Sequence, residues 1–268
     1  MSNKIVTDLW KEIPEPENPF RPSQCLCAGF DVYGELVPQI SWTEYVLLLF
    51  LKQQPEGFQV DLLNALAVAL GNPGPRDQSV HAAMAAGAGG AGAAASLIAA
   101  LAVGAGQLGG AREIAVLMEG VHQCKQDLNL WLAFLQPRPG STAGEQANFK
   151  DVWPVSEHAP GFDPHAVATG KTATQTLDYL ESCYPGFQLT WLKQNKDALE
   201  NAIEKPISMA FVAASGFADL GLDEEQAEVL YLLIRLSGAA VHGLEQRWRG
   251  WREFPFYGNN LKVTNTKD

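Results

Sequence analysis

The feature that most constrains this fold is a long segment of small residues, SVHAAMAAGAGGAGAAASLIAALAVGAGQLGGA, which spans Ser79–Ala111. From Ala82 to Ala111 it carries no charge and consists mostly of Ala and Gly. It lacks both the polar face of a water-exposed helix and the Pro, Asn and Asp of a loop. Small residues let helix backbones approach closely, although each Gly inside a helix costs about 1 kcal/mol relative to Ala. The segment therefore predicts a buried central helix that is broken near residues 104–110.

The charge of the chain limits its partners. Its 268 residues carry a formal net charge of −11, which argues against binding nucleic acid, because phosphates require a basic surface. A small anionic ligand needs only a few local Arg side chains and stays compatible with this charge. The small-residue segment is long enough to span a membrane, but it holds too few large apolar side chains. We therefore expect no nucleic acid and no membrane as partners.

The cysteines and the N-terminus indicate the cellular compartment. The four cysteines lack the paired spacing of a zinc site, which predicts free thiols and no metal; they are Cys25, Cys27, Cys124 and Cys183. The first residues, MSNKIVTDLWKEI, are charged and amphipathic and lack the apolar core of a secretory signal. These features predict a cytoplasmic protein.

The remaining pattern is helical. A proline-rich arm over residues 1–24 precedes several segments with apolar residues at helical spacing. Ser41 with Glu44, and Asp223 before an acidic turn, are typical helix starts. The longest aperiodic segment covers residues 136–166 and predicts a functional or mobile loop. Because no alternating strand pattern of convincing length occurs, we predict an all-α fold.

Several motifs occur in a characteristic order between Gly29 and Arg252: AGFDVYGELV, SWTEYVLLLFL, NPGP, a Gly-Gly-Ala turn, DPHA, and KPISMAFVAASGFADLGLDEEQAEVLYLLIRLSGAAVHGLEQR. Together they resemble the citrate synthase superfamily, and within it the short citryl-CoA lyase branch that includes the C-terminal module of ATP citrate lyase. The resemblance implies an all-α dimer whose cleft binds a coenzyme A thioester. Members make or break a carbon–carbon bond between acetyl-CoA and oxaloacetate.

The resemblance also implies a domain division. We expect an extended arm over residues 1–24, a large helical domain formed by residues 25–111 and 207–252, and a small helical domain over residues 112–206. A C-terminal tail covers residues 253–268. The ligand cleft of the family lies between the two domains.

Two catalytic positions of the lyase branch are replaced in this sequence. The Asp-His-Gly-Pro loop corresponds to Asn72-Pro73-Gly74-Pro75, so Pro73 occupies the His position. The Asn-Val-Asp turn corresponds to Ser208-Met209-Ala210, so Ala210 occupies the Asp position. Neither side chain can transfer a proton, and proline also lacks an amide proton.

The third position, a His in a Gly-His loop, is ambiguous. Pro160-Gly161-Phe162 continues directly into Asp163-Pro164-His165, where the family usually has Asp-Pro-Arg. Either the His segment is deleted, or His158 is the family's His in a shortened loop. His158, Asp163 and His165 are therefore candidate catalytic residues, and the alternative interpretation is that both histidines are solvated loop residues.

Candidate substrate-binding residues lie around the central segment and near the C-terminus. Gly109 and Gly110 offer backbone amides, and Arg76 and His81 lie at the start of the segment. The C-terminal group alternates with tryptophans, so it fits either an anionic ligand or a dimer interface; it comprises Arg247, Arg249 and Arg252.

Three functions remain open at this stage. The first is a citrate synthase-like protein that keeps a cleft for an acyl-CoA or carboxylate but has lost or replaced the usual acid and base. The second is a working citryl-CoA lyase, or a related acyl-CoA lyase, that uses His158 or His165 with Asp163. The third is an interaction protein that binds no coenzyme A. The first two imply a homodimer, or a dimer with an active paralogue, and no covalently bound cofactor.

Overall fold

The computed structural model describes residues 7–136, 158–184 and 186–255. Three short strands precede a helical body: β1 (Trp10–Glu15), β2 (Asn18–Cys27) and β3 (Phe30–Asp31). After a π-helical turn at Val32–Leu36, the helices are α1 (Val37–Gln39), α2 (Trp42–Leu51), α3 (Gly57–Leu70), α4 (Gln78–Ala88), α5 (Ala93–Gly104), α6 (Ala111–Cys124), α7 (Leu128–Leu135), α8 (Lys171–Cys183), α9 (Phe187–Ile203), α10 (Met209–Asp219) and α11 (Glu224–Arg249). The prediction of a helical fold is confirmed.

The N-terminal arm corrects one part of that prediction, because it contains strands. β1 and β2 pair as an antiparallel hairpin, and β3 adds to the other edge of β2. Prolines hid this pattern, and the β1–β2 register shifts at Pro14, where no backbone amide proton is available. Only the end of β2 is anchored, since Cys27 packs against Val32 and Leu48 in a small buried cluster.

The helix starts follow the sequence signals. Ser41 accepts a hydrogen bond from the Glu44 amide while the Glu44 carboxylate accepts one from the Ser41 amide, which forms the predicted capping box. Asp223 caps α11 in the same way together with Gln226. These caps satisfy backbone amides that would otherwise lack partners at each helix start.

The central small-residue segment is two helices and not one. The predicted break after Gly104 is present, but a second break separates α4 from α5 at residues 89–92. Gly90 adopts a φ of +84°, a conformation that alanine rarely reaches. The sequence alone did not separate this break from the other Gly positions of the segment.

The most buried helix is α10, in which every residue from Phe211 to Phe217 is buried. The long helix α11 packs against α4, α5 and α6. At its closest point, a Cβ placed on Gly87 of α4 would overlap the carbonyl of Gly243 of α11. The helix backbones therefore touch, which is the use we predicted for the small residues.

α11 is also long and apolar enough to cross a membrane, the one such helix within the described ranges. Of its most apolar window, 44% is buried inside the structure. A core helix of a soluble protein has the same length and composition, and α11 packs as one.

The domain division stays a prediction. The largest core cluster joins side chains from both proposed domains, for example Leu66, Leu117 and Leu177. Most of the predicted C-terminal tail lies outside the described residues, as does much of the predicted long loop.

Candidate functional site

The loop that carries His158 and Asp163 lies against the start of α10. The Ser208 amide donates a hydrogen bond to the Gly161 carbonyl over 2.8 Å, and the Asp163 amide donates to the Pro206 carbonyl over 2.9 Å. Gly161 has a φ of +83°, and a Cβ there would press on Leu117 and Phe211. The structure thus brings the candidate loop next to Ala210, the second residue of α10.

A buried carboxylate, Glu113 in the first turn of α6, joins this loop to the Gly-Gly turn. One oxygen, Oε2, accepts a hydrogen bond from the Gly109 amide over 3.0 Å. The other, Oε1, accepts one from the Gly161 amide over 2.6 Å. The Gly109 amide, which we had considered for a ligand, is therefore engaged by the protein itself.

His158 approaches the same carboxylate. Its Nε2 lies 4.0 Å from Oε1 of Glu113, and only 15% of its side chain is exposed. Burial raises the pKa of Glu113, the two backbone hydrogen bonds lower it, and the charge of Asp163 raises it further. A carboxylate under this burial penalty gains from a nearby positive charge, and the imidazole of His158 is close enough to provide one.

Asp163 and His165 have a different local role. Oδ1 of Asp163 accepts hydrogen bonds from the amides of His165 and Ala166, over 2.9 and 3.1 Å, so this carboxylate shapes a turn. His165 is exposed. His158 thus approaches Glu113, a carboxylate on a different element from its predicted partner Asp163.

The loop around Pro73 is fixed to α11. The Gly71 carbonyl accepts a hydrogen bond from the Gly238 amide over 2.8 Å, and Oδ1 of Asn72 lies 3.1 Å from Nε2 of His242. A Cβ on Gly238 would collide with the backbone of Asn72. The loop is held closely, while the Pro73 side chain itself is exposed.

Beyond this loop lies a buried cation, Arg235. Its guanidinium donates hydrogen bonds to Asp77, the N-cap of α4, and to the Tyr231 hydroxyl. Burial lowers the pKa of Arg235 to about 10, and burial together with the charge of Glu113 raises the pKa of Tyr231. Nε of Arg235 has no hydrogen-bond partner among the described residues, and the side chain lines a small cavity with Ser79 and Gly104.

The remaining candidates are spread over the surface of α4 and the end of α11. His81 is exposed, and its ring centroid lies 5.7 Å from that of Phe254. Arg249 pairs with Glu245 over 2.8 Å, and Arg252 lies over the Trp251 ring at 5.8 Å. Two further exposed candidates make no ion pair within the described part of the chain: Arg76 and Arg247.

The sequence analysis missed Glu113, Asp77, Tyr231 and Arg235. Two of them carried a detectable signal, because each places a charge on the apolar stripe of its helix. Glu113 lies four residues before Leu117 on the buried face of α6, and Arg235 lies on the buried face of α11. Charges in such positions are paired or functional. Within residues 7–136, 158–184 and 186–255, no group of three His, Cys, Asp or Glu side chains is arranged to hold a metal ion.

Neither a family model nor a curated protein matches the sequence. Solved structures match in shape. Citryl-CoA lyase from Hydrogenobacter thermophilus matches with a TM-score of 0.74 at 12% identity, over 98% of this chain and 96% of that chain. An ATP citrate lyase from Methanosaeta concilii, solved in complex with (3S)-citryl-CoA, matches with a TM-score of 0.71 at 15% identity, over 99% of this chain and 42% of that chain.

The citrate synthase from Thermoplasma acidophilum is a more distant structural match. It was solved in complex with carboxymethyl coenzyme A and oxaloacetate, and its TM-score is 0.55 at 15% identity, over 86% of this chain and 59% of that chain. This chain thus spans nearly all of the citryl-CoA lyase and less than half of the ATP citrate lyase. The matches confirm the citrate synthase-like helical fold that the motifs predicted.

Proposed function

We propose that this protein binds a coenzyme A thioester or a small carboxylate in a citrate synthase-like cleft, and that it has lost the family's usual acid and base. The observation that carries the proposal is the replacement of two proton-transfer positions by Pro73 and Ala210 within preserved frames. We further propose that the protein is soluble, cytoplasmic and dimeric.

The surroundings of Ala210 support a loss of chemistry without a loss of fold. Ser208 caps α10 by accepting a hydrogen bond from the Ala210 amide, and the 208–210 turn is paired with Gly161. Ala210 is 9% exposed. A methyl group in this place has no proton to give or accept, so the turn keeps its shape while the carboxylate function is absent.

The residues suited to hold coenzyme A are basic and aromatic. The end of α11 and the residues directly after it combine Arg247 and Arg252 with two exposed tryptophans, Trp248 and Trp251. Guanidinium groups bind phosphates, and indole rings stack on an adenine or on another arginine. Two of the similar structures named above were solved with a coenzyme A derivative, citryl-CoA in one and carboxymethyl coenzyme A in the other. The basic and aromatic side chains of this protein offer chemistry that suits such a ligand.

We expect calorimetry to detect binding of coenzyme A and acetyl-CoA. A double substitution of Arg247→Ala and Arg252→Ala should weaken binding at least about tenfold, the effect of 1.4 kcal/mol. The matched control is Arg21→Ala, an exposed arginine paired with Glu15 on the hairpin. Absence of any heat with either ligand would contradict the proposal and favour a purely structural interaction protein.

The exposed face of α5 supports a dimer. Four small or apolar residues share this face and are exposed: Ala94, Ala95, Ile98 and Ala102. Ile98 is 64% exposed. Without a charge on this face, contact with another helix removes apolar surface from water at little desolvation cost. The partner we propose is a second copy of the chain or an active paralogue.

An Ile98→Asp substitution should shift the protein toward a 29.0 kDa monomer in sedimentation velocity, because it buries a charge without a partner. Val167→Asp is the control, since that side chain is fully exposed in a loop. If Ile98→Asp leaves the sedimentation profile unchanged, α5 does not form the interface.

A second candidate function is a working citryl-CoA lyase, or a related acyl-CoA lyase, that uses His158. The specific observation in its favour is that His158 lies 4.0 Å from the buried Glu113, in the loop whose Gly161 carbonyl is bonded to the Ser208 amide. This function requires cleavage of an acyl-CoA substrate that disappears in a His158→Ala variant.

A further inference from the structure

We propose that Glu113 is a positioning residue that holds the imidazole of His158 as a charged group at the cleft. In this arrangement the Glu113–His158 pair is the proton-carrying unit of the site. The inference stands on the contacts of the two side chains and does not depend on which ligand binds.

The carboxylate of Glu113 has a fixed position. Each oxygen of Glu113 accepts a hydrogen bond from a backbone amide, one from Gly109 before α6 and one from Gly161 in the His158 loop. The side chain is buried. Two amide donors on separate loops leave the carboxylate one orientation, and that orientation directs Oε1 toward Nε2 of His158.

The charges around Glu113 determine what the imidazole of His158 contributes. The titratable side chains that face Glu113 within the described residues are His158, Asp163 and Tyr231. The neighbouring cation, Arg112, points away toward Glu228, with 3.9 Å between Nη1 and Oε2. Asp163 and an ionised Tyr231 would only add negative charge. The imidazole of His158 is therefore the group in this set that can neutralise the buried carboxylate, and it does so by taking up a proton.

Asp163 is held by backbone hydrogen bonds of its own. Its Oδ1 already accepts two hydrogen bonds from the backbone of its own turn, and its amide is bound to the Pro206 carbonyl. Asp163 thus forms the turn that follows the His158 loop. Glu113 reaches the loop from a different element and connects it to α6.

The consequence for the ligand, which rests on the proposed function, is a positive charge in the loop that is bonded to the 208–210 turn. An imidazolium there binds a carboxylate or a thioester oxygen of an acyl-CoA. It is also a proton donor, because an imidazolium can pass a ring proton to a bound oxygen while Glu113 keeps its two amide hydrogen bonds. The pair would act where the family's carboxylate is replaced by Ala210.

The test is the titration of the five histidines by NMR, with the His158 signal assigned from a His158→Gln variant. In the unmodified protein we expect the pKa of His158 to lie above about 6.5, the ordinary value of a free imidazole. A Glu113→Gln variant should lower the pKa of His158 by about one unit or more. A Glu113→Asp variant, which keeps the charge, should retain part of the difference.

Glu119→Gln is the matched control, because Glu119 lies on the same helix and bonds to Gln123 away from the site. It should leave the titration of His158 unchanged. An equal pKa of His158 in the unmodified protein and in folded Glu113→Gln would overturn the inference. Where Glu113→Gln does not fold, an unchanged titration in Glu113→Asp together with a pKa of His158 no higher than about 6.5 overturns it. None of these measurements requires a ligand, so their failure is distinct from a failure of the proposed function.

Discussion

Restoring the two missing groups should create an activity that the protein lacks. We expect the unmodified protein to form no measurable citrate from acetyl-CoA and oxaloacetate, and to cleave no citryl-CoA. A Pro73→His, Ala210→Asp double variant should raise either rate by roughly 10²-fold or more above that background, because a positioned general acid or base contributes about 10²–10⁴-fold. The assay is steady-state turnover with both substrates.

The two substitutions fit their sites. Residue 210 is the second residue of α10, where an aspartate interacts favourably with the helix dipole. Pro73 lies in a loop whose position is set by Gly71, Asn72 and α11, so a new imidazole would start from a defined backbone. Each single substitution should gain little, because catalytic groups that act together are not additive.

The matched control is Pro75→His combined with Ala210→Asp, since Pro75 is an exposed proline two residues away in the same loop. It should remain at background. Two outcomes contradict our interpretation. Turnover by the unmodified protein would show that other groups carry the chemistry. A folded double variant without any gain would show that residues 73 and 210 are not the equivalents of the family's acid and base.

The body of the fold was predictable from the sequence because its determinants are local. The capping residues Ser41 and Asp223, the breakers around Gly71, and the apolar spacing of the helices act within a few residues of each other. The N-terminal hairpin was not predictable from the sequence. Its prolines disrupt the alternation of apolar and polar residues that identifies strands, and only the end of β2 is buried.

Only those residues of the candidate site that belong to a recognisable sequence motif were predictable. The sequence named His158, Asp163 and His165 as candidates and placed Ala210 at the family's Asp position. The structure joins the loop of the candidates to the start of α10 through the bond between Ser208 and Gly161. The partner of His158 was not predictable, because Glu113 lies 45 residues away in the chain and reaches the loop only after α6 packs against α10. Long-range pairing of this kind has no sequence spacing to reveal it.

The second large effect that we expect is a loss of stability at the closest contact between two helices. A Gly87→Ala variant should lower the free energy of unfolding by about 1–3 kcal/mol, because the new methyl group overlaps the Gly243 carbonyl and forces α4 and α11 apart. This loss is the net effect, after the gain of about 1 kcal/mol that alanine normally brings inside a helix. Urea denaturation at a fixed protein concentration measures it.

Gly89→Ala is a close control, two residues further along the chain. Its backbone has a φ of −73°, which alanine adopts freely, and its new methyl group would meet only carbonyl oxygens at 3.4 Å and beyond. We expect this variant to be neutral or more stable by a few tenths of a kcal/mol, up to about 1. Equal stability of Gly87→Ala and Gly89→Ala would contradict the close packing of α4 on α11. The glycines of the central segment would then not be explained by close helix packing. The same packing of α4 on α11 holds Asp77 against Arg235 and the Pro73 loop against Gly238.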